Sequence, residues 1–329
     1  MKILIIVQAY PQISETYIKT EIEKLSETHE VEIVALSVGD YPYRNRFPHI
    51  QLTNANEKHI IEYIKNFSPD IIHGHYLMNL PIFFRLSQVL NRPFTFRSHS
   101  FDVLGKTQEQ LQSVSQFINH ENCLGMLGFP FLRRRLEAAG IRSEKFVDCF
   151  PVVKHTLFDD RSKNGSGVMN VGAALPKKNM NDFFRLSKLR PEKQFNLYAL
   201  GYKTKQLMET NKELDGRVNF IPPVEPDDML KHYKQHEWLV YTASSVINKV
   251  GWPLAVAEAQ ASGVGVCMQT TRPDLIEYVG DAGFVFNKIE EAAEIIAQPF
   301  PDVLRERGFV LSKRSDVNNH ISCLTDLWQ

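Results

Sequence analysis

Residues 3–36, ILIIVQAYPQISETYIKTEIEKLSETHEVEIVAL, carry two short apolar runs on either side of one amphipathic stretch. The first run, ILIIV at 3–7, is apolar throughout, as a strand buried on both faces requires. In 14–27 the residues Tyr17, Ile18, Ile22 and Leu25 recur at helical spacing, with Ser14 placed to cap the start. Residues 31–36 (VEIVAL) return to the strand pattern. Strand, helix, strand is a βαβ unit and implies parallel pairing. The alternation continues with a helix around 57–67, a strand at 70–73, a helix at 80–90 and a strand at 93–97. A polar, glycine-containing run at 159–167, DDRSKNGSG, reads as an interdomain linker, after which the pattern restarts. Strands are then expected at 168–172, 195–200, 217–221, 238–241 and 264–268, and helices at 179–188, 226–235 and 253–262. The expected fold class is α/β, with two doubly wound, Rossmann-like parallel-sheet domains facing across a cleft. Ligands of such sheets sit outside the carboxyl ends of the strands, which makes the cleft the expected site.

Composition limits the function. The chain has 329 residues, 43% hydrophobic and 23% charged, so it is globular rather than disordered. Lys+Arg and Asp+Glu both number 38, and a chain of zero net charge is not built to bind nucleic acid by neutralising phosphates. The cysteines at 123, 149, 267 and 323 form no CxxC pair and no disulfide framework, as expected of buried thiols in a reducing compartment. The start, MKILIIVQAY, has too short an apolar run for a signal peptide, and no stretch approaches the roughly 18 apolar residues of a membrane span. A soluble, cytoplasmic protein is expected.

Several loops after strands carry candidate chemistry. His73-Gly74-His75 ends one strand, and Ser98-His99-Ser100-Phe101-Asp102 ends the next. Three histidines and Asp102 could be read as metal ligands, but nothing in the pattern supplies the partners that orient such ligands, and no metal is expected. His99 either donates a hydrogen bond to a ligand or is satisfied by backbone; spacing leaves both open. Val171-Gly172-Ala173-Ala174-Leu175-Pro176-Lys177-Lys178 lies between a strand and a helix, where glycine admits a close approach and lysine offers charge to a phosphate. Gly251-Trp252-Pro253-Leu254-Ala255 opens a helix whose first N–H groups suit a diphosphate. Glu258, further along, either accepts hydrogen bonds from ribose hydroxyls or is an ordinary exposed glutamate. The run Arg133-Arg134-Arg135 reads as a solvated face, or as a contact for anionic lipid or a diphosphate-linked acceptor. There is no GxGxxG after the first strand, no P-loop and no G-x-S-x-G elbow.

Taken together, these blocks resemble the retaining GT-B glycosyltransferases of glycosyltransferase family 4, the "glycosyl transferases group 1" type. YPQISETYIKTEIEKL at 10–25 resembles the family's opening block, DIIHGHY at 70–76 its His-x-His strand end, and SHSFDV at 98–103 its His-Gly-x-Asp loop, with Ser100 in place of the glycine. FLRRRLEAAGIRSEKFVDCFP at 131–151 is similar to the helix and strand that close the first domain, and VGAALPKKN to the Val-Gly-Arg-Leu-x-x-x-Lys-Gly loop. Residues 217–244 and GWPLAVAEAQASGVGV at 251–266 are similar to the donor-domain core.

The resemblance implies an acceptor-binding domain at 1–158, a linker at 159–167, a donor-binding domain at 168–310, and a C-terminal helix within 311–329 packing back on the first domain. It implies a hexosyltransferase with no cofactor, its donor a UDP- or GDP-type sugar nucleotide and its acceptor a saccharide or lipid-linked saccharide of surface polysaccharide or glycoconjugate synthesis. Metal is unnecessary where lysine and a helix end carry the charge. His99 would bond the donor sugar and Lys178 the diphosphate. Gly172, Ala173, Lys177, Leu254 and Ala255 would complete the phosphate site, Pro223 and Val224 line the base, and Glu258 hold the ribose. Ser14, Glu15, Thr16, His75 and Asp102 would serve the acceptor. A peripheral position at the inner face of the membrane is the accompanying expectation. Two positions depart from the pattern: the first of the family's two spaced glutamates falls on Val250, and its loop arginine on Ala173. The alternative they suggest is a GT-B protein without turnover that binds nucleotide or glycan as a partner subunit.

Overall fold

The computed structural model describes residues 1–39, 43–52, 57–201 and 203–329. The chain divides into two compact units, one of Met1–Phe150 with Val317–Gln329, the other of Pro151–Asp316. Each is a parallel sheet with helical crossovers.

Among the described residues the first unit has seven strands: β1 (Lys2–Tyr10), β2 (Glu30–Val38), β3 (Ile50–Gln51), β4 (Ile71–His75), β5 (Phe94–Arg97), β6 (Cys123–Gly128) and β7 (Phe146–Asp148). Their order is β3-β2-β1-β4-β5-β6-β7. Ile3, Leu4, Ile5, Ile6 and Val7 of β1 have no exposed surface, as an apolar run covered on both faces must be. β1 registers Ile5 with Ile33 of β2 on one side and with His73 of β4 on the other. The helix Thr16–Ser26 buries Ile18, Ile22 and Leu25 against this sheet, and with them Glu21. It begins at Thr16 after a 3-10 turn over Ile13–Glu15, so the expected cap at Ser14 is not formed; Ser14 is exposed and Glu15 stands at the cap position.

Among the described residues the second unit has six strands: β8 (Gly167–Ala173), β9 (Phe195–Leu200), β10 (Val218–Phe220), β11 (His236–Tyr241), β12 (Gly265–Gln269) and β13 (Phe284–Phe286). They are ordered β10-β9-β8-β11-β12-β13. Phe183, Phe195, Trp238, Val240 and Phe286 centre its core. The helix expected over 226–235 is a 3-10 turn (Pro226–Asp228) followed by the short helix Met229–Tyr233.

The units divide at Phe150–Pro151, ahead of the polar run 159–167, and that run lies within the second unit. It is strapped there by Lys234, whose Nζ donates to Asp160 O at 3.0 Å and to Asn164 Oδ1 at 3.1 Å. Residues 311–316 also stay with the second unit. The final helix, Val317–Trp328, is part of the first, where Leu324 packs with Leu127 and Cys149.

Candidate active site

In both sheets the strand order reverses once, between β1 and β4 and between β8 and β11. A doubly wound sheet parts its loops at such a point and leaves room for a ligand at the carboxyl ends. His73 and His75 on β4, and Lys178 after β8, lie beside these two points.

In the first unit, β4 runs unbroken through Gly74, so His73 and His75 project from the same face. Gly74 is required by packing: a Cβ there would lie 2.2 Å from the Phe83 ring. Both histidines meet Glu21, whose Oε1 is 3.1 Å from His73 Nε2 and 3.0 Å from His75 Nε2. His320 Nε2, from the final helix, bonds the other oxygen of Glu21. Behind them, His320 Nδ1 is 3.0 Å from Arg97 Nη1, and His73 Nδ1 is 2.8 Å from Thr95 Oγ1, which also accepts from Trp328 Nε1 at 3.1 Å. Glu21, His73 and His75 are fully buried and Arg97 nearly so. Burial works to raise the Glu21 carboxyl, but the three histidines outweigh it and hold the group well below the usual carboxylate range. Burial lowers His75, and lowers His320 to about 4.

Among the described residues, Glu21, His73 and His75 are also the one trio able to surround a metal ion, with ligand atoms within 4.8 Å of one another. Glu21 and His75 Nε2 already bond one another at 3.0 Å, whereas His73 Nε2, 3.1 Å from the same oxygen, makes no hydrogen bond among the described residues. Asp102 is not in that trio.

His99 stands at the mouth of this cluster. Its Nε2 is 3.0 Å from His75 Nδ1, and its ring lies against Tyr17 and Tyr76, with centroids 4.6 and 4.4 Å away. Burial first, then His75 and Arg97, keep the imidazole pKa well below its ordinary value. The loop that carries it is held by Asp102, whose Oδ1 accepts from His99 N at 2.9 Å and whose Oδ2 accepts from Leu77 N at 2.7 Å. Burial raises Asp102 to about 6 against these two bonds. Ser100, at φ 62 and ψ −51, forms a γ-turn of the rarer positive-φ kind, closed by Phe101 N to His99 O at 2.8 Å. Tyr76 OH donates to Glu15 and lies 2.6 Å from Tyr17 OH.

The expected acceptor residues therefore separate. Ser14, Glu15 and Thr16 lie at the exposed or half-buried start of the helix. His75 and Asp102 lie inside: both ring nitrogens of His75 and both oxygens of Asp102 are bonded within the chain.

In the second unit, Lys178 follows β8. Its ammonium lies 4.5 Å from the Tyr241 ring centroid, and among the described residues no carboxylate pairs with it. Burial, then the neighbouring Lys177, lowers it to about 7. Gly172, at φ 151, takes a backbone that a side chain rarely adopts, and its missing Cβ would touch Lys178 Cε at 3.7 Å. Ala173 ends β8 half-buried. The loops after β8 and β11 are tied together: Thr242 Oγ1 donates to Lys178 O at 2.7 Å, and Ser244 N to Lys177 O at 2.9 Å.

The helix Leu254–Ala261 also leaves β11, so its free first-turn N–H groups, at Leu254 and Ala255, belong to the same switch point. Glu258 accepts from Tyr233 OH at 2.7 Å, and burial raises it to about 7. Val250 is 2% exposed, and its carbonyl accepts from Arg272, which pairs with Asp274 at 2.8 Å. Pro223 and Val224 lie in the loop after the edge strand β10, exposed and half-buried respectively.

Of the arginine run, Arg133 is paired with Asp148 at 3.1 Å and stacked on Phe146, and Arg135 donates to Lys106 O. Arg134 is exposed. Among the described residues no helix is long and apolar enough to cross a membrane.

Glu21, Arg97, Thr95 and His320 were not singled out from the sequence. Glu21 had a signal: it falls in step with Ile18 and Leu25, so a carboxylate sits on the buried face of its helix. His320 had none, since its partners lie more than 200 positions away.

Residues 166–300 match the family model of glycosyl transferases group 1, a span that holds Lys178 and Glu258. No curated protein matches the chain by sequence. Among solved structures, HepE from Anabaena, in complex with UDP and glucose, aligns at a TM-score of 0.79 and 15% identity over 99% of this chain and 98% of its own. Sucrose-phosphate synthase from Thermosynechococcus elongatus aligns at 0.68 and 12% identity, over 96% and 93%. The lipopolysaccharide outer core galactosyltransferase WaaB, in its apo form, aligns at 0.61 and 16%, over 98% and 99%. The likeness is one of fold: the chain has the architecture of the GT-B glycosyltransferases, two parallel-sheet α/β domains.

Proposed function

We propose that the chain is a retaining, metal-independent hexosyltransferase that moves a sugar from a nucleoside diphosphate to a saccharide or lipid-linked saccharide in surface polysaccharide or glycoconjugate synthesis. The observation that carries this is Lys178: a cation of lowered pKa with no carboxylate partner among the described residues, at the switch point from which the helix Leu254–Ala261 also starts. That pairing suits an anion such as a diphosphate. Glu258, with one donor at 2.7 Å and a raised pKa, has capacity for ribose hydroxyls. UDP is the nucleotide we put first, because the HepE structures contain UDP or UDP-glucose.

In the reaction, the bond between the anomeric carbon and the diphosphate oxygen breaks with its electron pair going to the diphosphate. The ammonium and the helix end stabilise that charge. The acceptor hydroxyl adds to the same face of an oxocarbenium-like carbon and loses its proton to the departing phosphate oxygen, so the chain supplies no nucleophile. His99 bonds a donor-sugar hydroxyl. The loop at Pro223 and Val224 faces the base, and Ser14, Glu15 and Thr16 serve the acceptor. We place the protein in the cytoplasm, peripheral to the membrane when its acceptor is lipid-linked.

Calorimetric titration with UDP, GDP and ADP and their common sugar conjugates, with and without EDTA, tests the reading. One nucleotide is expected to bind, unaffected by EDTA and more tightly with one sugar attached, and Lys178→Ala is expected to weaken it about 10- to 100-fold. Absence of binding by all three nucleotides would remove the donor site.

The buried Val250 favours a second reading, binding of nucleotide or glycan without transfer, since a valine there offers a sugar no hydrogen bond. Turnover by the wild type with any donor sugar excludes it; activity appearing only in Val250→Glu would establish it.

A further inference from the structure

We propose that Glu21 and His75 are positioning residues that fix His99 as the tautomer protonated on Nε2, leaving Nδ1 as a hydrogen-bond acceptor for a hydroxyl of the bound ligand. Proton placement follows from groups that have a single option. A carboxylate only accepts, so the Nε2 atoms of His75 and His320, both hydrogen-bonded to Glu21, each carry their proton there. Arg97 gives an independent check. It only donates, so His320 Nδ1, 3.0 Å from Nη1, must accept, which again puts the histidine proton on Nε2. Thr95 completes the set: it takes the Trp328 N–H on its oxygen at 3.1 Å and turns its hydroxyl hydrogen to His73 Nδ1 at 2.8 Å.

With its proton on Nε2, His75 has a lone pair on Nδ1, and the atom it faces at 3.0 Å is His99 Nε2. That atom must therefore be N–H, and a neutral imidazole then has an unprotonated Nδ1. Among the described residues nothing bonds to that nitrogen, and the ring keeps part of its surface exposed. The competing arrangement puts an imidazolium at His75 and reverses the bond to His99. It would add a second cation to a buried cluster that already balances Arg97 against one carboxylate, a charge with no compensation. Burial lowers both His75 and His99, in keeping with two neutral rings.

The consequence concerns the ligand. A site whose free nitrogen accepts selects an O–H or N–H group and turns away phosphate oxygens, so His99 addresses a sugar hydroxyl and leaves the diphosphate to Lys178. The identity of the ligand rests on the glycosyl-transfer reading; the tautomer does not.

The test uses the whole chain alone, labelled with 15N-histidine, by long-range proton–nitrogen correlation at neutral pH, with His99→Gln to assign the ring. The expected result is a single tautomer of His99, with a protonated-type shift at Nε2 and an unprotonated-type shift at Nδ1. A proton on Nδ1, or an imidazolium, overturns the proposal. Two apolar variants, His75→Leu and His75→Phe, each remove the acceptor, and in whichever folds the single tautomer is expected to give way to a mixture. An unchanged wild-type pattern there removes the positioning role. Because no nucleotide is present, failure of nucleotide binding and failure of the tautomer are separate results.

Discussion

Lys178 carries a charge that its surroundings do not balance, and that gives it a pH signature. Its ammonium is lowered from the ordinary lysine value to about 7, so above neutrality the free protein holds it increasingly as the amine. A bound diphosphate favours the charged form and raises the pKa, so binding at pH 8 is expected to take up a fraction of one proton, and affinity is expected to fall up to about tenfold per pH unit above 7. Calorimetry in buffers of different ionisation enthalpy reads the proton directly; no uptake at pH 8, or the same pH dependence in Lys178→Met, would contradict it. Ser100 carries a different cost. A non-glycine residue in a positive-φ γ-turn is strained by about 1–3 kcal/mol, and glycine relieves it. Ser100→Gly is expected to raise the melting temperature by a few degrees. A lower melting temperature would mean that the serine hydroxyl bond to His99 O outweighs the strain.

At the scale of elements, legibility in the sequence tracked simple periodicity. The apolar run of β1 and the i, i+3, i+4 pattern of Thr16–Ser26 are local properties, and both elements lie where the sequence places them. β6, CLGMLG, escaped because its glycines dilute the strand signal, and those glycines are demanded by distant parts of the chain. A Cβ on Gly125 would meet Leu327 of the final helix at 3.1 Å, and one on Gly128 would meet Phe146 at 2.8 Å. The candidate site divides in the same way. Lys178 and Glu258 sit in a loop and a helix that the local pattern locates, their roles being what the family resemblance implies, whereas the cluster around Glu21 exists only once β4, β5 and two helices are assembled. The final helix matters here beyond its apolar face, because His320 connects the buried Arg97 to the buried Glu21. His320→Ala is expected to cost about 3–5 kcal/mol by leaving two buried charges without their link. The exposed Ser322→Ala on the same helix is expected to stay within about 0.5 kcal/mol, and denaturant unfolding would compare them. Equal losses would mean that the helix contributes packing alone.

For the molecule as a whole, the second unit is one continuous stretch, Pro151–Asp316, set between two pieces of the first. It has its own core around Trp238 and a complete sheet, so a fragment of residues 151–316 is expected to fold by itself and to retain part of the nucleotide affinity. A fragment of 1–150 lacks His320, Trp328 and the apolar face of the final helix, and is expected to remain without cooperative unfolding. Cooperative melting of 1–150 alone would show the helix to be dispensable. The discontinuity also sets an order of events during synthesis. Domains usually fold as they leave the ribosome, the amino-terminal one first. Here the piece made first must wait for residues 317–328, without the His320 link between Glu21 and Arg97 and with the face of β6 uncovered, while the unit made later is already complete. The unit whose larger piece is made before the other is the one that finishes folding last, and its exposure to aggregation or chaperone capture lasts as long as the ribosome takes to read through residues 151–316.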